Sequence, residues 1–229
     1  MTRIAFLIGF FCASTTWVLA QGSSVEMTCP IDGKRFKFEG APPASPNRVL
    51  NLDMKPAEPE IAPWPLPKCP ENGFVIYQSK FSESKIRKFR QFVQSDAYRS
   101  IVDVHTTHYL AAVLRKRVEE PLYDIAWSLA QATWEVASDA VRYKQYAEEA
   151  LAAYEQLPEG NALPRRQRVL KEMMSGELER RLGLFDAAKK RFIGIRDQAE
   201  FTTPTLQRVF QLQLKLISAK DTGIHRMPN

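Results

Sequence analysis

The sequence predicts a mostly α fold, built of antiparallel, tetratricopeptide-like helix pairs with a small N-terminal β or ribbon-like module. Three observations predict it. From Ser82 onward, apolar residues recur at helical spacing. Prolines and glycines at Pro121, Pro158, Gly160, Pro164, Gly183 and Pro204 cut that stretch into short helices. Ahead of it lie two related cysteine turns and a stretch, Pro42 to Pro70, that holds nine of the fifteen prolines.

The first segment reads as an export signal. Arg3 supplies a basic start, Ile4 to Ala13 an apolar run, and Val18-Leu19-Ala20 a small-residue exit. The run is shorter than the roughly 20 apolar residues that span a bilayer. The expectation is therefore a signal peptide, residues 1–20, cut after Ala20, and a periplasmic or secreted protein with no transmembrane span after cleavage.

Residues 21–80 form the expected Pro-rich module. Arg35–Phe38 alternates in character and Phe74–Tyr77 is apolar and β-favouring, so both are expected as strands. Between them, Ala62–Pro67 is stiffened by proline and reads as a strap that packs Trp64 and Leu66 on the domain surface. Residues 81–221 form the helical domain. Ser82 and Glu83 start its first helix, which carries Ile86, Phe89, Phe92 and Val93. Further helices are expected at Thr107–Arg117, after Pro121, around Val141–Leu157, and near Pro164–Leu182, Phe185–Ala199 and Pro204–Ala219. Residues 222–229 read as a frayed tail.

Within these helices, Gly176, Gly183, Ala188 and Phe192 stand at the small and aromatic offsets of the tetratricopeptide repeat. Small residues there let two helices approach, and the aromatic fills the gap to the next pair. Leu129-Ala130, Ala147, Leu151, Tyr154 and Pro158 form a looser copy.

The most pointed feature is the pair Cys29-Pro30-Ile31-Asp32-Gly33 and Cys69-Pro70-Glu71-Asn72-Gly73. Each has the outline of a zinc-ribbon knuckle, Cys-Pro-x-Cys-Gly, with the second cysteine replaced by Asp32 or Asn72. Asparagine is a weak neutral ligand, and thiols outside the cytoplasm are readily oxidised. A Cys29–Cys69 disulfide is the expectation, with a bound metal and free thiols as the alternatives. Paired knuckles, a Phe74-x-x-Tyr77 segment, Phe81-Ser82-Glu83 at a helix start, and tetratricopeptide-like helices together resemble a bacterial family of unknown function, the domain of unknown function twenty-two twenty-five. The matching positions are Cys29, Pro30, Gly33, Cys69, Pro70, Gly73, Phe74, Tyr77, Phe81, Ser82 and Glu83. The resemblance implies a bacterial origin and a periplasmic location, and no known activity.

Charge excludes little. The formal net charge of +6 suits a protein that meets anionic surfaces but does not point to nucleic acid. The clusters around Lys85–Arg90, Arg115–Arg117, Arg165–Arg168 and Lys189–Arg191 read as outer helix faces, with a joint positive surface for acidic partners as the alternative. Paired acids, Glu119-Glu120 and Glu148-Glu149, read the same way. No phosphate loop, nucleophile elbow or dinucleotide fingerprint is present, and no cofactor is expected. His105 and His108, three apart, are the one candidate metal pair, and a weak one without a third ligand. The leading expectation is a non-enzymatic interaction or scaffold protein with a protein or peptide partner, since helix-pair arrays form concave binding surfaces. A metal-dependent hydrolase using His105 and His108, or a structural cell-envelope component, are the alternatives.

Overall fold

In the computed structural model, which describes residues 24–40, 49–57, 63–159, 162–196 and 198–228, the first described element is a hairpin. Strand β1 (Ser24–Thr28) pairs antiparallel with β2 (Arg35–Glu39), setting Val25 opposite Phe38 and Met27 opposite Phe36. The expected export segment and residues 41–48 of the Pro-rich stretch lie outside the described residues. The second expected strand, Phe74–Tyr77, is reduced to a single antiparallel bridge between Val75 and Lys68. Its side chains go instead into the helical core, where Phe74 packs 5.1 Å from Phe89 and 5.3 Å from Phe81, centroid to centroid.

The helices follow as α1 (Glu83–Val93), the short α2 (Asp96–Arg99), α3 (Thr107–Arg117), α4 (Leu122–Glu135), α5 (Ala140–Glu155), α6 (Arg165–Arg181), α7 (Phe185–Arg196) and α8 (Pro204–Ser218). Their starts are chemically explicit. Ser82 accepts the Lys85 N–H, Asp139 accepts those of Val141 and Arg142, and Thr203 accepts that of Leu206 with Pro204 at the first helical position. Gly183, at φ 77°, ends α6 in the left-handed conformation that a side chain would strain. From α3 to α8 each helix packs on its neighbours in sequence. No described helix is long and apolar enough to cross a membrane.

Three apolar cores run along this array. The first joins Cys29, Ile31, Cys69, Phe74 and Val75 to Phe89, Val93, Tyr98, Leu110 and Leu114. It crosses the expected boundary at residue 81, so the cysteine module and α1–α3 share one core. The second fills the space between α4, α5 and α6, and the third that between α6, α7 and α8. The Glu120 side chain, expected on a solvated face, is only 5% exposed. It accepts Tyr77 Oη–H at 2.9 Å and Lys85 Nζ–H at 2.6 Å, and pairs with Arg115. Burial alone would raise its carboxyl, but these partners hold it below the usual carboxylate range.

The repeat-like positions meet in α6 and α7. Ala188 and Phe192 are fully buried, and the Phe192 ring lies directly on Gly176, so that a Cβ there would come within 2.4 Å of Phe192 Cζ. Gly194, on the same helix as Phe192, has open space instead. Gly176→Ala should therefore destabilise the protein by about 1–3 kcal/mol through overpacking, whereas Gly194→Ala should stabilise it by about 0.5–1 kcal/mol through helix propensity. Denaturant unfolding of the two variants checks the opposite signs.

Candidate functional site

Two adjacent arginines on α6 organise the side of the array on which an open groove lies. Arg180 is fully buried, and the Arg181 side chain is 6% exposed. A guanidinium without partners costs several kcal/mol there, so both groups draw acceptors to them, although Arg181 Nε is buried without one. Arg180 donates to both oxygens of Glu177, at 2.9 and 2.7 Å, and Gln213 donates to the same carboxylate at 2.8 Å. Its remaining N–H groups reach the carbonyls of Asp221 and Gly223. Arg181 donates to Asp53 at 3.0 Å and lies 4.1 Å from the Tyr143 ring centroid.

Asp53 and the carbonyls of Asp221 and Gly223 come from two non-helical segments. Residues 49–57 fold as a tight hairpin, with Ala57 N–H donating to Val49 and Asn51 N–H to Lys55, and Met54 at φ 66° in the turn. Its tip puts Leu52 into the third core and Asp53 against Arg181. Residues 222–228 are docked along it: Leu52 N–H donates to His225 at 2.9 Å, and Met227 N–H to Leu50 at 2.8 Å. The expected frayed tail is therefore held against the hairpin by a single antiparallel bridge, Asn51 to Arg226, and His225 is tied to Asp221 at 3.0 Å.

The hairpin forms one wall of an open groove with a volume near 1190 Å³. Leu50 and Met54 line this wall, Tyr123 and Trp127 come from α4, Val169, Leu170 and Met173 from α6, and Leu206 from α8. Arg165 and Arg166 stand in the first turn of α6, and both are exposed. Glu200, also in the lining, is taken by Arg168 at 3.2 Å and held below the usual carboxylate range mainly by that hydrogen bond. Sequence reasoning missed this groove. The available signal was Tyr123 and Trp127, four apart on α4, but the far wall comes from the Pro-rich stretch, whose placement no periodicity announces.

The two cysteine turns meet as related knuckles. Cys29 and Cys69 form a disulfide with their Cα atoms 5.7 Å apart. In each turn the cysteine carbonyl accepts the glycine N–H at 2.9 Å, with Gly33 at φ 77° and Gly73 at φ 69°. Asp32 and Asn72, at the lost cysteine positions, each accept the backbone N–H two residues on, Lys34 and Phe74. Asn72 Nδ2 then donates across the junction to Asp32 at 2.9 Å, and it lies 3.5 Å from Cys29 Sγ. A covalent bond and an amide–carboxylate hydrogen bond thus join the knuckles where four thiolates would share an ion. Pro30 lines a smaller cleft beside β1, and Pro70 opens the second turn.

His105 and His108 do not converge. His105 stacks on Tyr109, with centroids 4.1 Å apart, and its Nδ1 lies 2.9 Å from the Tyr146 hydroxyl. His108 is buried, and its Nε2–H donates to the Trp64 carbonyl at 3.3 Å. Next to it, Leu66 N–H donates to the Thr107 hydroxyl at 2.7 Å, which donates on to Glu135. The pair docks the proline strap and ties α3 to α5. Among the described residues no group of three or more His, Cys, Asp or Glu is placed to hold a metal.

Comparison of the chain with protein-family models, with curated proteins and with solved structures found no match.

Removing the disulfide frees a loop of sequence separation 40, so Cys29→Ser with Cys69→Ser should cost up to about 4 kcal/mol. Denaturant unfolding measures this, and the intact mass of the native chain should rise by two hydrogens on reduction. The histidines predict a pH dependence. Burial pushes both imidazoles below their ordinary value of 6.5, so the unfolded chain protonates first as pH falls. Their contribution is complete above 6.5 and is lost as pH drops below it. Unfolding free energy should decline from about pH 7.5 to about pH 5.5, and His108→Gln should flatten that slope.

Proposed function

We propose that this protein is an exported, periplasmic interaction protein without a catalytic centre, which holds an extended segment of a partner polypeptide in the groove between α4, α6 and α8. The groove carries the reading. Its floor is apolar and partly exposed, and it is concave because successive helices stack side by side, as in helical arrays that bind peptides. The Cys29–Cys69 bond supports an oxidising compartment, in line with the export segment read at residues 1–20 and with the resemblance of the knuckles and helix start to the bacterial family. The positions of His105 and His108 favour a structural role for both.

The test is to pan a library of random peptides against the full, disulfide-bonded protein. Binding of the enriched peptides should be lost in Leu170→Ser and in Leu206→Ser, and kept in Val141→Ser, whose exposed side chain lies outside the groove. Circular dichroism confirms that each variant is folded. Enriched peptides that bind all three folded variants equally would sink the reading.

A further inference from the structure

We infer that the groove selects an acidic segment of its partner, the carboxylates meeting Arg165 and Arg166 while apolar side chains settle on Trp127, Leu170 and Leu206. The inference rests on the groove reading and adds the chemistry of the occupant.

Charge decides it. Each basic cluster commits an arginine to internal bonding. Arg90 donates to the Ile31 carbonyl at 3.1 Å, Arg115 pairs with Glu120, and Arg191 binds Glu172 and Glu179 at 2.7 and 3.0 Å. In the cluster at the groove, Arg168 takes Glu200. Glu200 is the one carboxylate among the described lining residues, so that pairing cancels the groove's negative charge. Arg165 uses a single N–H on the Glu200 carbonyl, at 2.8 Å, and keeps its other donors. Arg166 makes no ion pair among the described residues and lies close enough to Tyr123 for its charge to act on the phenol. The groove therefore has a surplus of positive charge beside an apolar floor.

The chain itself supplies the precedent for such an occupant. In Leu52-Asp53-Met54, a carboxylate reaches an α6 arginine while its two neighbours enter apolar surroundings. This is the same chemistry supplied in cis, one wall away. A phosphate polymer or a lipid headgroup would satisfy the arginines but leave Trp127, Leu170 and Leu206 uncovered. An acidic peptide with interleaved apolar side chains satisfies both.

The experiment uses fluorescence anisotropy with the full, disulfide-bonded protein and two labelled peptides: one alternating aspartate with leucine and phenylalanine, the other carrying asparagine for aspartate. The aspartate peptide should bind about tenfold tighter at low salt, the equivalent of about 1.4 kcal/mol, with the advantage shrinking as salt rises. Arg165→Gln with Arg166→Gln should abolish that advantage, and Arg166→Lys should retain most of it. Equal binding of the two peptides overturns the inference, as does an aspartate preference that survives the double substitution. If library peptides that depend on Leu170 prove free of acidic residues, this inference fails and the groove reading stands. Competition by phosphatidylglycerol vesicles with the same arginine dependence assigns the charge to lipid, and also overturns it.

Discussion

Burying two neighbouring guanidinium groups on α6 is the constraint on which much of this structure turns. Removing one partner from such a pair typically costs about 3–5 kcal/mol, so Arg180 and Arg181 require specific acceptors. α6 supplies only part of them, through Glu177, whose carboxylate also accepts the Gln213 side-chain N–H from α8. The rest must come from chain that is neither helical nor adjacent: Asp53 from the hairpin at residues 49–57, and the carbonyls of Asp221 and Gly223 from the end of the protein. Satisfying α6 therefore draws both segments onto the array. Once there, they pair with each other through Leu50, Leu52, His225 and Met227. The wall of the groove follows from the electrostatics beneath it.

The cysteine knuckles solve a different problem by a related route. Two tight turns must be held together at the start of the chain, where β1 and β2 alone form a sheet too small to be stable. A zinc ion would do this with four thiolates. Here the disulfide fixes the distance, and Asn72 donates to Asp32 across the gap. Asp32 and Asn72 also keep the local task of a knuckle residue, accepting the N–H two positions on. The turns retain their shape because glycines at positive φ still close them.

What the sequence disclosed follows the range of each interaction. Helix starts depend on contacts two or three residues apart, so Ser82 and Pro204 mark their helices well, and Thr107–Arg117 is read to the residue. Gly176 and Phe192 are separated by one helix turn-around, near enough for a repeat pattern to show. The cysteine pairing was legible because only two thiols lie outside the segment read as an export signal. Asp53 and Arg181 are 128 positions apart, and nothing local marks Asp53 as buried. Glu120 looked like one of two surface acids, because its three partners arrive from Tyr77, Lys85 and Arg115 on separate segments. The Phe74–Tyr77 segment has strand composition but only one bridge, Val75 to Lys68, since its aromatics pack on Phe89 of α1.

The array binds extended chain more than once within its own fold. The strap at Trp64–Leu66 lies against α3, held by His108 and Thr107, and the hairpin lies against α6, held by Arg181. In both places a polar side chain on a helix fixes backbone or carboxylate while apolar neighbours fill the spaces alongside. The groove between α4, α6 and α8 presents the same combination with no occupant among the described residues, and its wall is fixed in advance by a buried ion pair. A partner segment entering it would order itself but would not have to order the protein. That would lower the entropic cost of the proposed association, because a pre-ordered wall leaves less of the complex to be immobilised.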